Sequence, residues 1–220
     1  MNNKEAAPFI GVERLRIPID GDGVTTLAAF RDCTLRCQYC LNPQSLDSNT
    51  LVKHYTAQEL IDYVKIDSLY FVATGGGVTF GGGEPLLRSS FIKRFRELCP
   101  KEWMINIETA LNVPLHHLQE VVPFTHQFII DIKDMNADIY EKYTTKDNKQ
   151  VIENLKWLCR ENMQDKCKIR LPLIADFNTE ADRKNSKKML EEMGYNDFNP
   201  FSYIKNVNDY KKTLGPKDEG

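Results

Sequence analysis

Apolar and polar positions change their spacing along the chain in a regular way. Short runs rich in β-branched and aromatic residues alternate with longer segments in which apolar residues recur every three or four positions. The first pattern predicts strands and the second predicts amphipathic helices. Six strands are predicted, at residues 26–31, 78–80, 103–108, 127–132, 168–173 and 197–201.

Helices are predicted between these strands from their start and stop signals. Thr56 and Glu59 have capping-box spacing, Pro114 opens another helix, and Gly194 closes the last one. The alternation favours an α/β fold with a parallel sheet whose outer face the helices cover. Chemistry on such sheets lies at the carboxyl ends of the strands. The predicted helical segments are 56–66, 89–98, 114–122, 151–162 and 179–194.

Length and composition restrict the class of protein. A chain of 220 residues can bury the core of one α/β domain, which we expect over residues 1–205, followed by a polar tail over 206–220. The formal net charge of −2 gives no reason to expect nucleic-acid binding. The longest apolar runs are too short to cross a bilayer, and no secretory signal opens the chain. We therefore expect a cytoplasmic protein that acts away from membranes.

Three of the six cysteines crowd one loop. Cys33, Cys37 and Cys40 lie within eight residues, directly after the first predicted strand. A structural zinc site needs four ligands, and the nearest histidine, His54, is fourteen residues beyond Cys40. Disulfides are disfavoured because a core-rich chain of this size does not need them. The preferred interpretation is a four-iron cluster that takes three thiolates here and leaves one iron open, as catalytic sites do.

The cysteine spacing also carries a family resemblance. Cys33-x₃-Cys37-x₂-Cys40, with Tyr39 before the last cysteine, resembles the signature of the radical S-adenosylmethionine (radical SAM) enzymes. The resemblance implies a partial (β/α)₆ TIM-like barrel with one [4Fe-4S] cluster. It also implies that S-adenosyl-L-methionine (SAM) chelates the open iron, with Tyr39 among its contacts.

A glycine-rich run supports the same resemblance. Residues 75–85, GGGVTFGGGEP, contain Gly82, Gly83 and Glu84, which resemble the family's Gly-Gly-Glu motif. In the family this motif contacts the methionyl amino group of SAM. By itself the run is equally compatible with a strained turn. The upstream GGGVT narrows the resemblance to the glycyl-radical-enzyme activases, typified by pyruvate formate-lyase activating enzyme.

Polar residues at the later strand ends match this branch as well. The segment DGDGVTTLAAFRDC resembles its Asp-Gly-Pro-Gly opening, with Asp22 at the proline position. SAM carries a sulfonium, a carboxylate, an ammonium and a ribose diol, so a rim with both charge signs would suit it. The resemblance implies SAM contacts at Glu108, Thr109, Asp131, Lys133 and Arg170. The alternative for each of these residues is a polar side chain that lines the barrel without binding SAM.

One position departs from the branch. Where the branch has a histidine at the end of the sixth strand, this chain has Ser202, so a ribose or peptide contact is altered or lost. No terminal helix like that of many activases is predicted after the sixth strand, and residues 41–74 carry no cysteine-rich insert that would bind further clusters.

The resemblance implies a radical SAM oxidoreductase. The enzyme would cleave SAM reductively and use the 5′-deoxyadenosyl radical to remove a hydrogen atom from a backbone glycine of a partner glycyl-radical enzyme. An external one-electron donor of the flavodoxin or ferredoxin type would reduce the cluster, and the chain would act as a monomer. One alternative is a radical enzyme that modifies a short peptide or a small molecule. Another is a non-catalytic iron-sulfur electron-transfer or sensor protein, which would not need a site for SAM.

Overall fold

The computed structural model describes residues 6–17 and 19–202 of the chain. The predicted tail over 206–220 lies outside the described residues, and so does the side chain of Ser202. The domain boundary at residue 205 therefore stays a prediction. None of the helices in the described ranges has the length and apolar character of a membrane-spanning segment.

Eight strands form one sheet. Their order across the sheet is β3-β1-β2-β4-β5-β6-β7-β8. The six strands β2, β4, β5, β6, β7 and β8 run parallel. Strand β1 pairs antiparallel with both β2 and β3. In the described part of the chain β3 and β8 are the two ends of the sheet, so the barrel does not close. The strands are β1 (Ala7–Arg16), β2 (Thr25–Phe30), β3 (Lys53–Tyr55), β4 (Gly77–Gly82), β5 (Met104–Thr109), β6 (Gln127–Asp131), β7 (Cys167–Leu173) and β8 (Asp197–Ser202).

The six parallel strands are the six strands that the sequence predicts. The predicted partial (β/α)₆ barrel is therefore confirmed, with two additional antiparallel strands at one edge. The sequence pattern misses β1 because only its first half alternates between buried and half-buried residues, whereas its second half is largely exposed. Phe9 of β1 stacks on Phe30 of β2 with ring centroids 4.4 Å apart, which holds the additional strand against the barrel.

Seven α-helices lie in the described residues. The capping box that opens α1 is confirmed, because the Thr56 hydroxyl accepts from the Glu59 amide at 3.2 Å and the Glu59 carboxylate accepts from the Thr56 amide at 2.8 Å. Two short helices, α2 and α5, are not predicted. The side chain of Asn136 starts α5 by accepting from the amides of Asp138 and Ile139. The helices are α1 (Ala57–Val64), α2 (Ser68–Thr74), α3 (Ser89–Leu98), α4 (Leu115–Val121), α5 (Ala137–Thr144), α6 (Lys149–Arg160) and α7 (Glu180–Glu192).

Side chains of the parallel strands alternate between two faces. The face that packs against the helices is apolar and fully buried, which places the core between the sheet and the helices. The intervening residues lie on the opposite, concave face and are mostly polar, including Thr79, Asn106, Glu108, Asp131 and Arg170. Residues on the helix-facing side include Val78, Phe80, Ile105, Ile107, Phe128, Ile130, Ile169 and Leu171.

Candidate active site

The cysteine loop leaves the carboxyl end of β2 through a sharp turn. Asp32 adopts a left-handed backbone conformation with φ of 74° at the turn between β2 and Cys33. Its amide donates to the carbonyl of Ser45 at 3.0 Å, and its carboxylate accepts from Arg88 at 2.8 Å. The base of the loop is therefore fixed before the first cysteine.

The middle of the cysteine loop rests on the end of α5. The amide of Arg36 donates to the carbonyl of Thr144 at 3.0 Å, and the amide of Gln38 donates to the carbonyl of Tyr143 at 3.1 Å. These two bonds satisfy carbonyls that the helix itself leaves without partners at its end. An unpredicted helix thus supports the segment between the cysteines.

The three loop thiols are free and half-buried. Burial raises the pKa of Cys33 to about 12, and the negative charge of Glu84 acts in the same direction. Burial also raises the pKa of Cys37, although the charge of Lys133 opposes this effect. The Cys33 and Cys37 thiols are therefore protonated in the metal-free protein at neutral pH, and metal binding would release their protons.

The donor set fits an iron-sulfur cluster. In residues 6–17 and 19–202 no three His, Cys, Asp or Glu side chains converge closely enough to bind one metal ion together. A four-iron cluster does not require such convergence, because each thiolate binds a different iron. Three free cysteines on one loop match that requirement better than a closed zinc site, which needs four ligands around one ion.

The Gly-Gly-Glu segment packs directly on the start of the cysteine loop. The amide of Gly83 donates to the carbonyl of Phe30 at 2.9 Å, and the amide of Glu84 donates to the carbonyl of Asp32 at 2.8 Å. These bonds extend the pairing of β2 and β4 beyond the ends of the strands. The segment therefore holds the backbone that leads into Cys33.

Glycine is required here by close backbone packing. Gly82 has φ of 93°, and a Cβ atom on it would lie 2.8 Å from the Cα of Ala29. A Cβ on Gly83 would overlap the carbonyl oxygen of Asp32. The Asn42 side chain, from further along the loop, donates to the carbonyl of Gly82 at 3.0 Å. The predicted contacts of both glycines with SAM stay predictions, beside this structural role.

Glu84 and Thr109, both predicted to contact SAM, contact each other. The buried Glu84 carboxylate accepts from the Thr109 hydroxyl at 2.7 Å, the Ala110 amide at 3.0 Å and the Leu86 amide at 3.2 Å. The Thr109 oxygen in turn accepts from the Leu111 amide at 2.9 Å. Burial raises the pKa of Glu84 to about 7, against the opposing effect of these hydrogen bonds. The pair joins the carboxyl ends of β4 and β5.

Glu108 and Arg170 form an ion pair on the concave face. One guanidinium nitrogen of Arg170 donates to the Glu108 carboxylate, and the other donates to the Ile19 carbonyl at 2.8 Å. Burial raises the pKa of Glu108, with Arg170 opposing. Burial lowers the pKa of Arg170, but Glu108, Asp131 and Asp20 outweigh it, so the pKa is raised overall. The pair spans β5 to β7.

Asp131 and Lys133 form a second pair beside the first. Lys133 Nζ donates to Asp131 Oδ2 at 2.8 Å, and the Lys133 side chain is only 8% exposed. The other oxygen, Asp131 Oδ1, is buried and has no hydrogen-bond donor within the described residues. Asp131 also lies opposite Arg170 in the sheet register. A buried carboxylate oxygen without a donor is costly unless a ligand supplies one.

A group of residues before β2 closes the amino-terminal side of the concave face, which the sequence does not predict. Asp20 is buried, accepts from Arg16 and lies 4.0 Å from Arg170. Its carbonyl accepts from the Thr79 hydroxyl. A Cβ on the neighbouring Gly21 would overlap the Asn106 side chain. The only sequence signal for Asp20 is its place in the DGDG segment.

Tyr39 and Ser202 lie at other points of the same rim. The Tyr39 hydroxyl donates to Asp176 Oδ2 at 3.0 Å, in the loop between β7 and α7. Ser202 is the last residue of β8 and pairs with Leu173 of β7. The structure thus brings the predicted residues to one end of the barrel, in two groups. Gly82, Gly83, Glu84 and Thr109 support the cysteine loop, whereas Glu108, Asp131, Lys133 and Arg170 form the charged concave face.

Comparisons with known proteins match this arrangement. The sequence matches the Radical SAM superfamily over residues 28–186. A (2S)-3-sulfopropanediol dehydratase activating enzyme of Klebsiella oxytoca is 34% identical, over 81% of this chain and 74% of the relative. A pyruvate formate-lyase-activating enzyme of Clostridium pasteurianum is 34% identical, over 72% of this chain and 66% of the relative. The chain therefore spans about two thirds to three quarters of the length of these relatives.

The fold is also found in a solved structure. Streptococcus suis SuiB bound to precursor peptide SuiA aligns with a TM-score of 0.62 and 13% identity, over 81% of this chain and 39% of SuiB. At that identity the likeness concerns the fold alone. The predicted resemblance is confirmed by the relatives, which are activating enzymes. The chain belongs to the radical SAM superfamily, and within it is similar to the enzymes that activate glycyl-radical enzymes.

Proposed function

We propose that the protein cleaves SAM reductively and removes a hydrogen atom from a backbone glycine of a partner glycyl-radical enzyme. The observation that carries the proposal is the set of three free, half-buried thiols on one loop, next to a concave face with charges of both signs. A sensor or electron carrier would need the thiols but not the charged face. The names of the similar activating enzymes support the choice of partner.

Cys33, Cys37 and Cys40 would hold the [4Fe-4S] cluster. When bound, the reduced cluster would supply the one electron that breaks a carbon–sulfur bond of SAM, which would yield methionine and the 5′-deoxyadenosyl radical. The protein keeps the thiols half-buried and fixes the base of the loop through Asp32. An external one-electron donor of the flavodoxin or ferredoxin type would supply the electron.

The concave face would bind the charged groups of SAM. Asp131 Oδ1 is buried without a donor, so it is suited to accept from the ammonium or a ribose hydroxyl. Lys133 and Arg170 are suited to the carboxylate, although both already contact acidic side chains. The proposed SAM contacts are Tyr39, Gly82, Gly83, Glu84, Glu108, Thr109, Asp131, Lys133, Arg170 and Ser202.

The radical must then reach the substrate at the open end of the barrel. A loop of a partner protein would have to approach the charged concave face to receive it. The resulting stored radical would lie on the glycine α-carbon, and the product of SAM would be 5′-deoxyadenosine. We further propose that the protein acts as a cytoplasmic monomer, in keeping with its free thiols.

Label transfer tests this function. The protein is reconstituted anaerobically, reduced, and mixed with SAM and a peptide whose central glycine is deuterated at the α-carbon. We expect 5′-deoxyadenosine to form and to contain deuterium. Formation of 5′-deoxyadenosine without deuterium would favour an enzyme that modifies another position of a peptide or a small molecule. No 5′-deoxyadenosine at all would favour the electron-transfer or sensor function.

A further inference from the structure

Three aromatic rings join the cysteine loop to two other segments of the rim. We call Tyr39, Tyr143 and Phe177 the aromatic clasp. The ring centroid of Tyr39 lies 6.2 Å from that of Tyr143 and 5.6 Å from that of Phe177, and the latter two are 5.1 Å apart. All three pairs meet edge to face, the arrangement that aromatic quadrupoles favour. The clasp therefore connects the cysteine loop, the end of α5 and the loop between β7 and α7.

A hydrogen bond orients the ring that comes from the cysteine loop. The Tyr39 hydroxyl donates to Asp176 Oδ2 at 3.0 Å, although the two residues are 137 positions apart in sequence. Asp176 has φ of 69°, a left-handed conformation that aspartate tolerates better than most residues other than glycine. The edge contacts alone allow the phenol ring to tilt, whereas the bond from its hydroxyl fixes its direction.

The loop that carries Asp176 is itself rigidly held. The buried Asn178 side chain accepts from the Ile174 amide at 2.6 Å and donates to the Pro172 carbonyl at 3.2 Å and to Asp134 at 3.1 Å. These bonds tie the loop to β7 and to the segment after β6. Asp176 therefore offers Tyr39 a fixed acceptor, because it is attached to the barrel and not to the cysteine loop.

We propose that Asp176 is a positioning residue that acts through Tyr39 on the cysteine loop and on SAM. Tyr39 directly precedes Cys40, so the direction of its ring and the path of the last cluster ligand are set together. The bond from Tyr39 to Asp176 holds the end of the cysteine loop and the ring of Tyr39 in one arrangement before SAM binds. Without this bond, SAM binding would have to order the ring, which weakens the affinity. The effect of Asp176 on SAM binding rests on the proposed function.

The test compares Asp176→Ala with Asp176→Asn, which keeps an oxygen acceptor, and with Tyr39→Phe, which removes only the hydroxyl. Asp165→Ala is the control, because Asp165 is exposed on a distant turn. The first readout needs no cofactor. In the metal-free protein, Asp176→Ala and Tyr39→Phe should speed hydrogen exchange of the Gln38 amide about tenfold, which corresponds to one lost hydrogen bond. The Leu60 amide in α1 should exchange as in the parent protein.

The second readout is the affinity for SAM, measured from the change in the spectrum of the reduced cluster during titration. Asp176→Ala and Tyr39→Phe should raise the Kd for SAM about tenfold, and Asp176→Ala should leave the iron content and the kcat at saturating SAM unchanged. In Asp176→Asn, the exchange rate of the Gln38 amide and the Kd for SAM should both equal those of the parent protein. Equal SAM affinity in Asp176→Ala and the parent protein, or an Asp176→Asn variant as impaired as Asp176→Ala, would overturn the proposal.

The two proposals fail in different ways. If the parent protein binds no cluster or cleaves no SAM, the proposed function is wrong, while the exchange of Gln38 still reports on the clasp. If the parent protein cleaves SAM but the Gln38 amide exchanges equally in all variants, the positioning role is wrong and the proposed function stands.

Discussion

The hydroxyl of Thr109 donates a 2.7 Å hydrogen bond to the carboxylate of Glu84, across the carboxyl ends of two neighbouring parallel strands. Both side chains are buried, at 2% and 1% exposure. Glu84 also bonds through its amide to the turn before Cys33. The pair therefore links the third parallel strand to the segment that supports the cysteine loop.

The first prediction concerns this pair. Thr109→Val removes the donor to Glu84 and leaves the Leu111 amide without its acceptor, so it should lower the free energy of unfolding by about 1–3 kcal/mol. Thr109→Ser keeps the hydroxyl and should lose less than about 1 kcal/mol. Urea denaturation of the metal-free proteins under anaerobic conditions measures both. A Thr109→Val variant as stable as the parent would mean that the network contributes little.

The second prediction is a pH dependence of stability. Burial raises the pKa of Glu84 from 4.5 to about 7, so the folded state binds this proton more tightly than the unfolded state. The stabilising contribution is thus complete below pH 4.5 and is lost as the pH rises through about 7. Since one pKa unit corresponds to about 1.4 kcal/mol, the free energy of unfolding should fall by roughly 3 kcal/mol at most. Urea denaturation of the metal-free protein between pH 5 and 8 measures it.

Glu84→Gln isolates this contribution, because the amide does not titrate in that range. The free energy of unfolding of the variant should depend less on pH than that of the parent, by the amount that Glu84 contributes. Parallel pH profiles of the two proteins would assign the pH dependence to other groups.

The third prediction concerns the metal centre. Anaerobic reconstitution should give about four irons per chain, and Cys37→Ala should reduce the iron content to background because only two thiolates remain. Cys99→Ala is the matched control, since Cys99 is a buried cysteine directly after α3, outside the cysteine loop. Its iron content should equal that of the parent. Full iron retention in Cys37→Ala would remove this residue from the ligand set.

The fourth prediction separates SAM binding from cluster binding. Asp131→Ala and Lys133→Ala should each lower the turnover of SAM at least about tenfold, because each removes one member of the ion pair that is proposed to contact the charged groups of SAM. The absorption spectrum of the cluster should persist in both variants. Asp62→Ala and Lys93→Ala, which change exposed charges on α1 and α3, should not change turnover. Normal turnover in both site variants would leave Asp131 and Lys133 as polar residues that line the barrel.

Local features of this protein follow from its sequence. The cysteine spacing, the Gly-Gly-Glu segment and the capping box at Thr56 are each contained within about ten residues, so their chemistry can be deduced without the fold. The six parallel strands are predicted for the same reason, since each is a short apolar run that must be buried on its helix-facing side. The apolar runs predicted the barrel, and the cysteine spacing and the Gly-Gly-Glu segment carried the family resemblance.

Strand β1 and helix α5 depend on their surroundings. Three of the ten residues of β1 are exposed and only two are fully buried, so its pattern is weak, and the strand is held in place by the stacking of Phe9 on Phe30. Helix α5 is eight residues long, too short to be stable alone, and buries Tyr140 and Tyr143 against the rest of the barrel. Packing, rather than local preference, decides such elements.

Only the tertiary structure decided which polar residues face each other. Thr109 bonds to Glu84 across 25 positions, Arg170 to Glu108 across 62, and Tyr39 to Asp176 across 137. No local pattern encodes such pairs, because they arise from the order of strands in the sheet and from the register between them. The sequence by itself predicted which groups would bind iron and SAM. The fold determined which of them support the cysteine loop and which line the concave face, since folding alone brings residues of distant segments to the same rim.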